Sequence, residues 1–211
     1  AKLAIKDGMM TGISFHVVDD YGAYLQFGYG THGNALSQAS GPYKLSSLEM
    51  NLVAVFTNKC QQGAYRGFGS EVMNFLVERL ADAAIEELGD DPLEFRRRNF
   101  IKPEEFPYRI PTGNLYDSGD YPKVLDEAAE LLDYPGWRKK QEAARKEGRY
   151  IGIGVATCQE RSVFSATEFW FLNPDEAQGF TLTSSPEGVS VKIDPTGKAM
   201  VTLHAPFWGN S

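Results

Sequence analysis

Hydrophobic and polar positions alternate with period two near both ends of the chain and with period 3.6 through its middle. Residues 2–6 and 9–19 predict a hairpin turning at Asp7-Gly8, with Ile13, Phe15 and Val17 on a buried face. Residues 48–57 predict a strand built around Leu52-Val53-Ala54-Val55-Phe56. The strongest helix is expected over 70–88, where Val72, Phe75, Leu76, Leu80, Ala83, Ala84 and Leu88 share one stripe and Gly89 ends it. Asp91-Pro92-Leu93-Glu94 then opens a short helix to about Asn99, with an N-cap, a first-position proline and a capping-box acid. Two more helices are expected over about 121–132 and 136–147, the second basic, thinly apolar and therefore superficial.

Between these elements, residues 20–47 are rich in Gly, Tyr, Ser and Asn and read mainly as loop. Residues 101–119 carry Pro103, Pro107, Pro111, Gly113 and Gly119 and mark the best boundary, giving subdomains 1–106 and 107–211. Ile151-Gly152-Ile153-Gly154-Val155-Ala156 reads as a glycine-dotted strand, and residues 164–172 as an aromatic extended segment. Val189, Val191 and Ile193 alternate up to the turn Asp194-Pro195-Thr196-Gly197, and Val201 and Leu203 alternate back. Mixed and antiparallel sheets with segregated helices make the expected class α+β.

Composition narrows the function. With 211 residues, 42% hydrophobic and 12% aromatic, the chain folds, and its net charge of −7 argues against nucleic acid or an anionic membrane as partner. No apolar run approaches a membrane span and no signal peptide opens the sequence. Cys60 and Cys158 form no C-x-x-C, read as small buried or half-buried thiols, and place the chain by default in a reducing cytoplasm. Both ends break off next to strand-like sequence, as expected of a piece of a longer polypeptide.

The chemistry concentrates in Gln62-Gly63-Ala64-Tyr65-Arg66-Gly67-Phe68-Gly69-Ser70. Its glycines allow close backbone approach, Arg66 supplies a cation, Tyr65 and Phe68 supply walls, and Ser70 is placed to cap the following helix, whose N-terminus suits an anion. A plain strand-to-helix connector is the alternative reading. Elsewhere the candidates are structural. His16, His32 and His204 share no metal-ligand spacing, and Gly28-Tyr29-Gly30 with Gly33 matches G-x-G-x-x-G only as a loop. Arg96-Arg97-Arg98 reads as a solvated face holding one buried ion pair. Glu160 follows the glycine-dotted strand, either to orient a ligand or, more simply, to pair with Arg161 or Arg149. No catalytic constellation and no metal site is expected.

Several pieces then combine. Asp20-Tyr21-Gly22-Ala23-Tyr24, Gly41-Pro42-Tyr43, Val55-Phe56-Thr57-Asn58, the Ala64-to-Gly69 loop, Glu78-Arg79 and the run Asp91 to Phe100 follow one another in order. Pro111-Thr112-Gly113, the run Tyr116 to Tyr121, and Tyr150 to Gly154 continue the series. In this arrangement the chain resembles the molybdenum-cofactor-binding region of the xanthine dehydrogenase/aldehyde oxidase/carbon monoxide dehydrogenase large-subunit family. An A-[FY]-R-G-F-G loop followed by a D-P-x-E-x-R-R-x-N helix is a specific combination.

The resemblance implies a molybdopterin oxidoreductase that hydroxylates an aldehyde or heteroaromatic carbon with water-derived oxygen and passes electrons to iron–sulfur and flavin partners. It implies cofactor-binding roles for Ala64, Tyr65, Arg66 and Gly67, and a substrate-channel wall at Phe68. Carbon monoxide dehydrogenases of this type carry a copper-binding cysteine after the loop arginine, where this chain has Gly67. The family's upstream glycine-rich motif and downstream glutamate are not within the sequence, and Gly209-Asn210-Ser211 stands where relatives have G-Q-G. The 211-residue chain alone is therefore expected to be inactive and to retain no molybdopterin. A non-enzymatic binding or assembly module, and an unrelated nucleotide-binding enzyme, are the competing readings.

Overall fold

A computed structural model describes residues 1–26, 30–160 and 188–203. The chain divides into two compact units, Ala1–Glu160 and Arg161–Ser211.

The first unit is built on a three-stranded sheet. β1 (Lys2–Lys6) and β2 (Met9–Asp20) form the expected antiparallel hairpin, and Asp7 and Gly8 both take positive φ, 54° and 74°, as a two-residue turn of matching twist requires. Ile13 and Phe15 point into the core at 4% and 1% exposure. The third strand, β3 (Ser47–Val55), lies on β2 in parallel, from Gly12↔Ser47 to Asp20↔Val55. A parallel neighbour needs a long crossover, usually helical. Helix α1 (Gly30–Ser37) supplies it, so the reading of residues 20–47 as loop is corrected. Gly30 and Gly33 of the G-x-G-x-x-G match lie in this helix, while Gly28 and Tyr29 fall outside the described residues. The helix was hidden because its inward side chains are polar: Asn34, Ser37 and, just beyond it, Gln38 are all buried.

Helix α2 (Ser70–Leu88) runs to the left-handed Gly89 as expected, but it buries another face. Met73, Val77, Ala81, Ala84 and Ile85 enter the core. Val72, Phe75, Ala83 and Leu88 are exposed, so the hydrophobic stripe read from the sequence is only partly the inner one. The polar residues Ser70, Asn74 and Glu78 take the vacated inner positions. Helix α3 (Pro92–Asn99) begins as its sequence requires, with the Asp91 carboxylate accepting from Leu93 N and Glu94 N. Glu94 does not close a capping box; the Asp91 amide donates to Asp90, and Glu94 pairs with Arg97.

The three arginines of α3 separate. Arg96 is fully buried between Glu78 (2.7 Å) and Asp82 (2.9 Å) of α2. Arg97 pairs with Asp126 and Glu94 near the surface, and Arg98 pairs with Asp90 beside the first hairpin turn, where its Nε donates to Gly8 O at 3.2 Å. Asn99 holds the same hairpin from below, accepting from Met10 N and donating to Gly8 O. Beyond α3, β4 (Tyr108–Arg109) and β5 (Leu115–Tyr116) frame a small separate cluster of Ile101, Ile110 and Tyr116. Helices α4 (Tyr121–Leu132) and α5 (Tyr134–Lys146) follow, and α5 buries only Tyr134 and Ala144, as a surface helix should. Residues 151–160 lie along α2 with half-buried and exposed positions alternating, as the expected glycine-dotted strand requires, and have no ladder partner among the described residues.

In the second unit, β6 (Val189–Ile193) and β7 (Ala199–Leu203) form the expected antiparallel hairpin around residues 194–198. The aromatic segment 164–172, His204 and Gly209-Asn210-Ser211 lie outside the described residues.

Arg96→Ala should destabilise the chain by about 3–5 kcal/mol, because it strands a buried carboxylate. Arg97→Ala, whose partners are half in water, should cost under ~1 kcal/mol. Equilibrium denaturation of both variants checks the contrast, and equal costs would refute the assignment of Arg96 as the buried pair.

Candidate functional site

The stretch between β3 and α2 is anchored at both ends by groups far away in sequence. At its base the chain turns after β2, and residues 21–23 pair with residues 55–62: Tyr21 N donates to Val55 O, Thr57 N to Gly22 O, Ala23 N to Lys59 O and Gln62 N to Tyr21 O. Gly22 (φ 70°) must be glycine, since a Cβ there would sit 2.1 Å from Cys60 O. Asp20 locks this base by accepting from Gly22 N (3.0 Å) and Thr57 Oγ1 (2.7 Å) and pairing with Lys59 (2.7 Å). The Lys59 hydrogen bond, then those from Thr57 and Gly22, hold the Asp20 carboxyl well below its ordinary range, at about 2.

At the other end the loop meets α1. Gly69 (φ 115°) packs so closely that a Cβ would lie 2.3 Å from Thr31 O. Asn34 Nδ2 donates to Gly67 O (2.9 Å), Phe68 O (3.3 Å) and Ser70 Oγ (3.0 Å). Gln38 Nε2 adds a bond to Ser70 Oγ at 2.9 Å. Ser70 is thus not the helix cap foreseen from the sequence; its buried hydroxyl accepts both amides and donates to Glu160 Oε1 at 3.4 Å. Gln38 Oε1 is the buried acceptor that has no partner among the described residues.

Between these anchors the chain faces outward. Ala64, Tyr65 and Arg66 are exposed, Tyr65 at 86%, and Gly67 and Phe68 are half-buried. The five residues singled out by resemblance therefore form one continuous stretch on a pinned turn, closed by Phe68 N→Tyr65 O (2.9 Å) and Ser70 N→Gly67 O (2.8 Å). The helix terminus itself is taken: Glu71 Oε2 accepts from Gly69 N at 2.8 Å. A carboxylate at that spot opposes a phosphate at the helix terminus itself. What the loop offers a ligand is exposed backbone, a guanidinium and aromatic edges.

Neighbouring features complete the surroundings. Residues 155–160 and α2 enclose a groove of about 420 Å³ lined by Phe75, Val155, Ala156, Cys158, Glu71 and Glu160 among others. Asn74 clamps this segment in both directions, donating to Gln159 O (3.0 Å) and accepting from Gln159 N (3.1 Å). Both Cys60 and Cys158 are exposed thiols, not the buried or half-buried ones expected. His32 is structural, paired with Asp19 at 2.7 Å and stacked on Tyr21. Among the described residues no group of three or more His, Cys, Asp or Glu side chains could hold a metal, and no helix is long and apolar enough to cross a membrane.

Residues 2–100 match the model of the molybdopterin cofactor-binding domain. The chain belongs to the family of molybdopterin-binding large subunits that includes xanthine dehydrogenases, aldehyde oxidoreductases and carbon monoxide dehydrogenases. It is 32% identical over 200 residues to the nicotine 6-hydroxylase large subunit of Paenarthrobacter nicotinovorans, covering 93% of this chain and 23% of the relative. It is likewise 32% identical to the carbon monoxide dehydrogenase large chain of Hydrogenophaga pseudoflava, over 95% of this chain and 25% of the relative. Quinoline 2-oxidoreductase from Pseudomonas putida 86 superimposes with a TM-score of 0.79 at 32% identity, over 96% of this chain and 25% of its own. The chain spans about a quarter of the length of these relatives.

Two measurements test this geometry. The Asp20 carboxyl should titrate at about 2 by carbon-detected NMR, and Lys59→Met should raise that midpoint toward the ordinary value of about 3.9. Because the folded value is the lowered one, the tether strengthens the loop base above the unfolded pKa and is lost as pH falls through about 2. An unmoved midpoint in Lys59→Met would contradict the pairing. Gly69→Ala, facing a backbone carbonyl at positive φ, should destabilise more than Gly89→Ala, which meets nothing within 4 Å. Strain of this kind costs on the order of 1–3 kcal/mol, and thermal melts giving the reverse order would contradict the close α1 contact.

Proposed function

We propose that this chain is a segment of a molybdenum hydroxylase large subunit, and that its loop 64–68 borders the molybdopterin cofactor there. The observation that carries the reading is the pinned but outward-facing loop in a chain of this family. Its backbone and Arg66 are exposed, while both ends are fixed by side-chain hydrogen bonds. A large anionic pterin needs many contacts with little reorganisation, and a loop held this way supplies them.

The residues present fit such a group. Ala64, Tyr65, Arg66 and Gly67 would hold it, with Gly67 (φ 92°) letting the backbone come close, and Phe68 would wall the substrate channel. The chemistry is the cofactor's: a substrate C–H becomes C–OH with oxygen from water, and two protons and two electrons leave. The chain's own part is to orient the cofactor edge, to keep a fixed positive charge beside it, and to exclude water with Tyr65 and Phe68. The substrate is an aldehyde or heteroaromatic carbon, and the electrons pass to iron–sulfur and flavin subunits or domains. A copper-dependent carbon monoxide site is disfavoured: position 67 is glycine at positive φ, and a Cβ there would sit 2.9 Å from Glu71 Oε2. A division into cofactor-binding subdomains at 106/107 belongs to the same reading. The end of the matched domain at residue 100 supports it, while the small core of Ile101, Ile110 and Tyr116 spans that point and Ala1–Glu160 form one compact unit.

Arg66 is exposed on the outward stretch of the loop, where its guanidinium is open to a ligand. In the complete large subunit, Arg66→Ala should lower molybdenum content or turnover at least about tenfold, the loss expected when a charge-assisted contact is removed. Arg97→Ala should keep both. Equal retention in the two variants would make the loop a mere connector. The isolated 211-residue chain should hold no stoichiometric molybdenum and show no hydroxylase turnover, and elemental analysis finding about one molybdenum per chain would contradict this.

A further inference from the structure

We propose that Asn34 is a positioning residue for the cofactor loop, setting the direction in which Tyr65 and Arg66 are presented. The inference rests on the reading of that loop as a cofactor border. Asn34 is 5% exposed and its amide spans the only turn that joins the exposed stretch to α2. Nδ2 reaches Gly67 O at 2.9 Å and Phe68 O at 3.3 Å, so two successive carbonyls are aimed at α1. The peptide planes of the loop follow from that aim. The acceptor side of the amide is engaged too, by Gln38 Nε2 at 3.3 Å, and Ser70 Oγ receives a bond from each amide.

The amide that holds the loop is itself held. Helix α1 is tied to the end of β2 by His32–Asp19 at 2.7 Å and by Tyr21 OH at 3.1 Å from His32 Nδ1. It touches the loop backbone where Gly69 meets Thr31 O. Asn34 therefore transmits the position of the sheet end to the loop. Helix α2 does not need Asn34 to stay folded, since Met73, Val77, Ala81 and Ile85 anchor it in the core. Loss of the amide should loosen the loop alone, which separates positioning from general stability.

The test is Asn34→Asp in the complete large subunit. The aspartate has the same size and still accepts from Gln38, but at neutral pH it turns an acceptor toward two carbonyls. Amide hydrogen exchange, corrected for intrinsic rates, should show protection at Phe68 and Ser70 falling about tenfold or more at pH 7. Protection within 77–81 of α2 should stay unchanged. A buried carboxyl among acceptors keeps its proton to higher pH, so protection at the loop should recover near pH 5, where the acid donates again. Asn34→Ala, which lacks any donor, should lose the same protection and show no recovery. Molybdenum content should fall in both variants at pH 7. Unchanged loop exchange, loosening spread evenly along α2, or full molybdenum content in a loosened loop would each overturn the inference. Full molybdenum together with full turnover in Arg66→Ala would instead overturn the cofactor reading, whatever Asn34→Asp does.

Discussion

The buried pair of Arg96 and Glu78 is the constraint around which the first unit is arranged. One carboxylate oxygen accepts two guanidinium bonds, at 3.0 and 2.7 Å, and the other accepts from the Tyr43 hydroxyl and from Thr157 Oγ1 at 2.8 Å. Four pieces of chain thus meet on one side chain of α2: the helix itself, α3, the turn before β3, and the segment 151–160. Burial and the nearby Glu78 charge push the Tyr43 hydroxyl upward, so it stays a donor. A buried ion pair contributes little net stability against an apolar substitute, but it tolerates only one mutual arrangement. That geometric demand fixes how α2, which the glycine loop leads into, packs on α3.

The loop inherits its shape from this frame and from two side chains that lie outside it. Asp20 fixes the base and Asn34 fixes the entry to α2, while the residues between face outward. A surface held at both ends and open between them is pre-organised for a large rigid ligand. The same geometry explains why the helix N-terminus is not the binding feature: Glu71 already occupies it.

Much of this was legible in the residues. The hairpin at Asp7-Gly8, the Gly89 stop, the Asp91-Pro92 helix start and the turn at 194–197 follow from local chemistry that tertiary packing did not override. The existence of one buried arginine among three was also legible, because three consecutive helical positions cannot share an environment. What stayed hidden was polar. Helix α1 carries Asn34, Ser37 and Gln38 inward, so no hydrophobic period announces it, and its presence follows only once β2 and β3 are seen to be parallel. The inner face of α2 was misplaced for the same reason, since Ser70, Asn74 and Glu78 occupy inward positions that a hydrophobic stripe cannot mark. For the site, the A-Y-R-G-F-G string was visible, whereas Asp20 and Asn34 act across 37 and 33 residues of separation. The i, i+4 spacing of Asn34 and Gln38 was the one available signal, and alone it is too common to decide anything.

The central claim is that residues 64–68 form part of the wall of a molybdopterin site. It is tested most directly by an experimental structure of the complete, molybdenum-loaded large subunit. The account predicts the backbone of Ala64–Gly67 or the Arg66 guanidinium within about 3.5 Å of the pterin or its metal-bearing end, at hydrogen-bonding distance, with Phe68 facing the open side. A structure in which another segment of the protein separates this loop from the cofactor would contradict it.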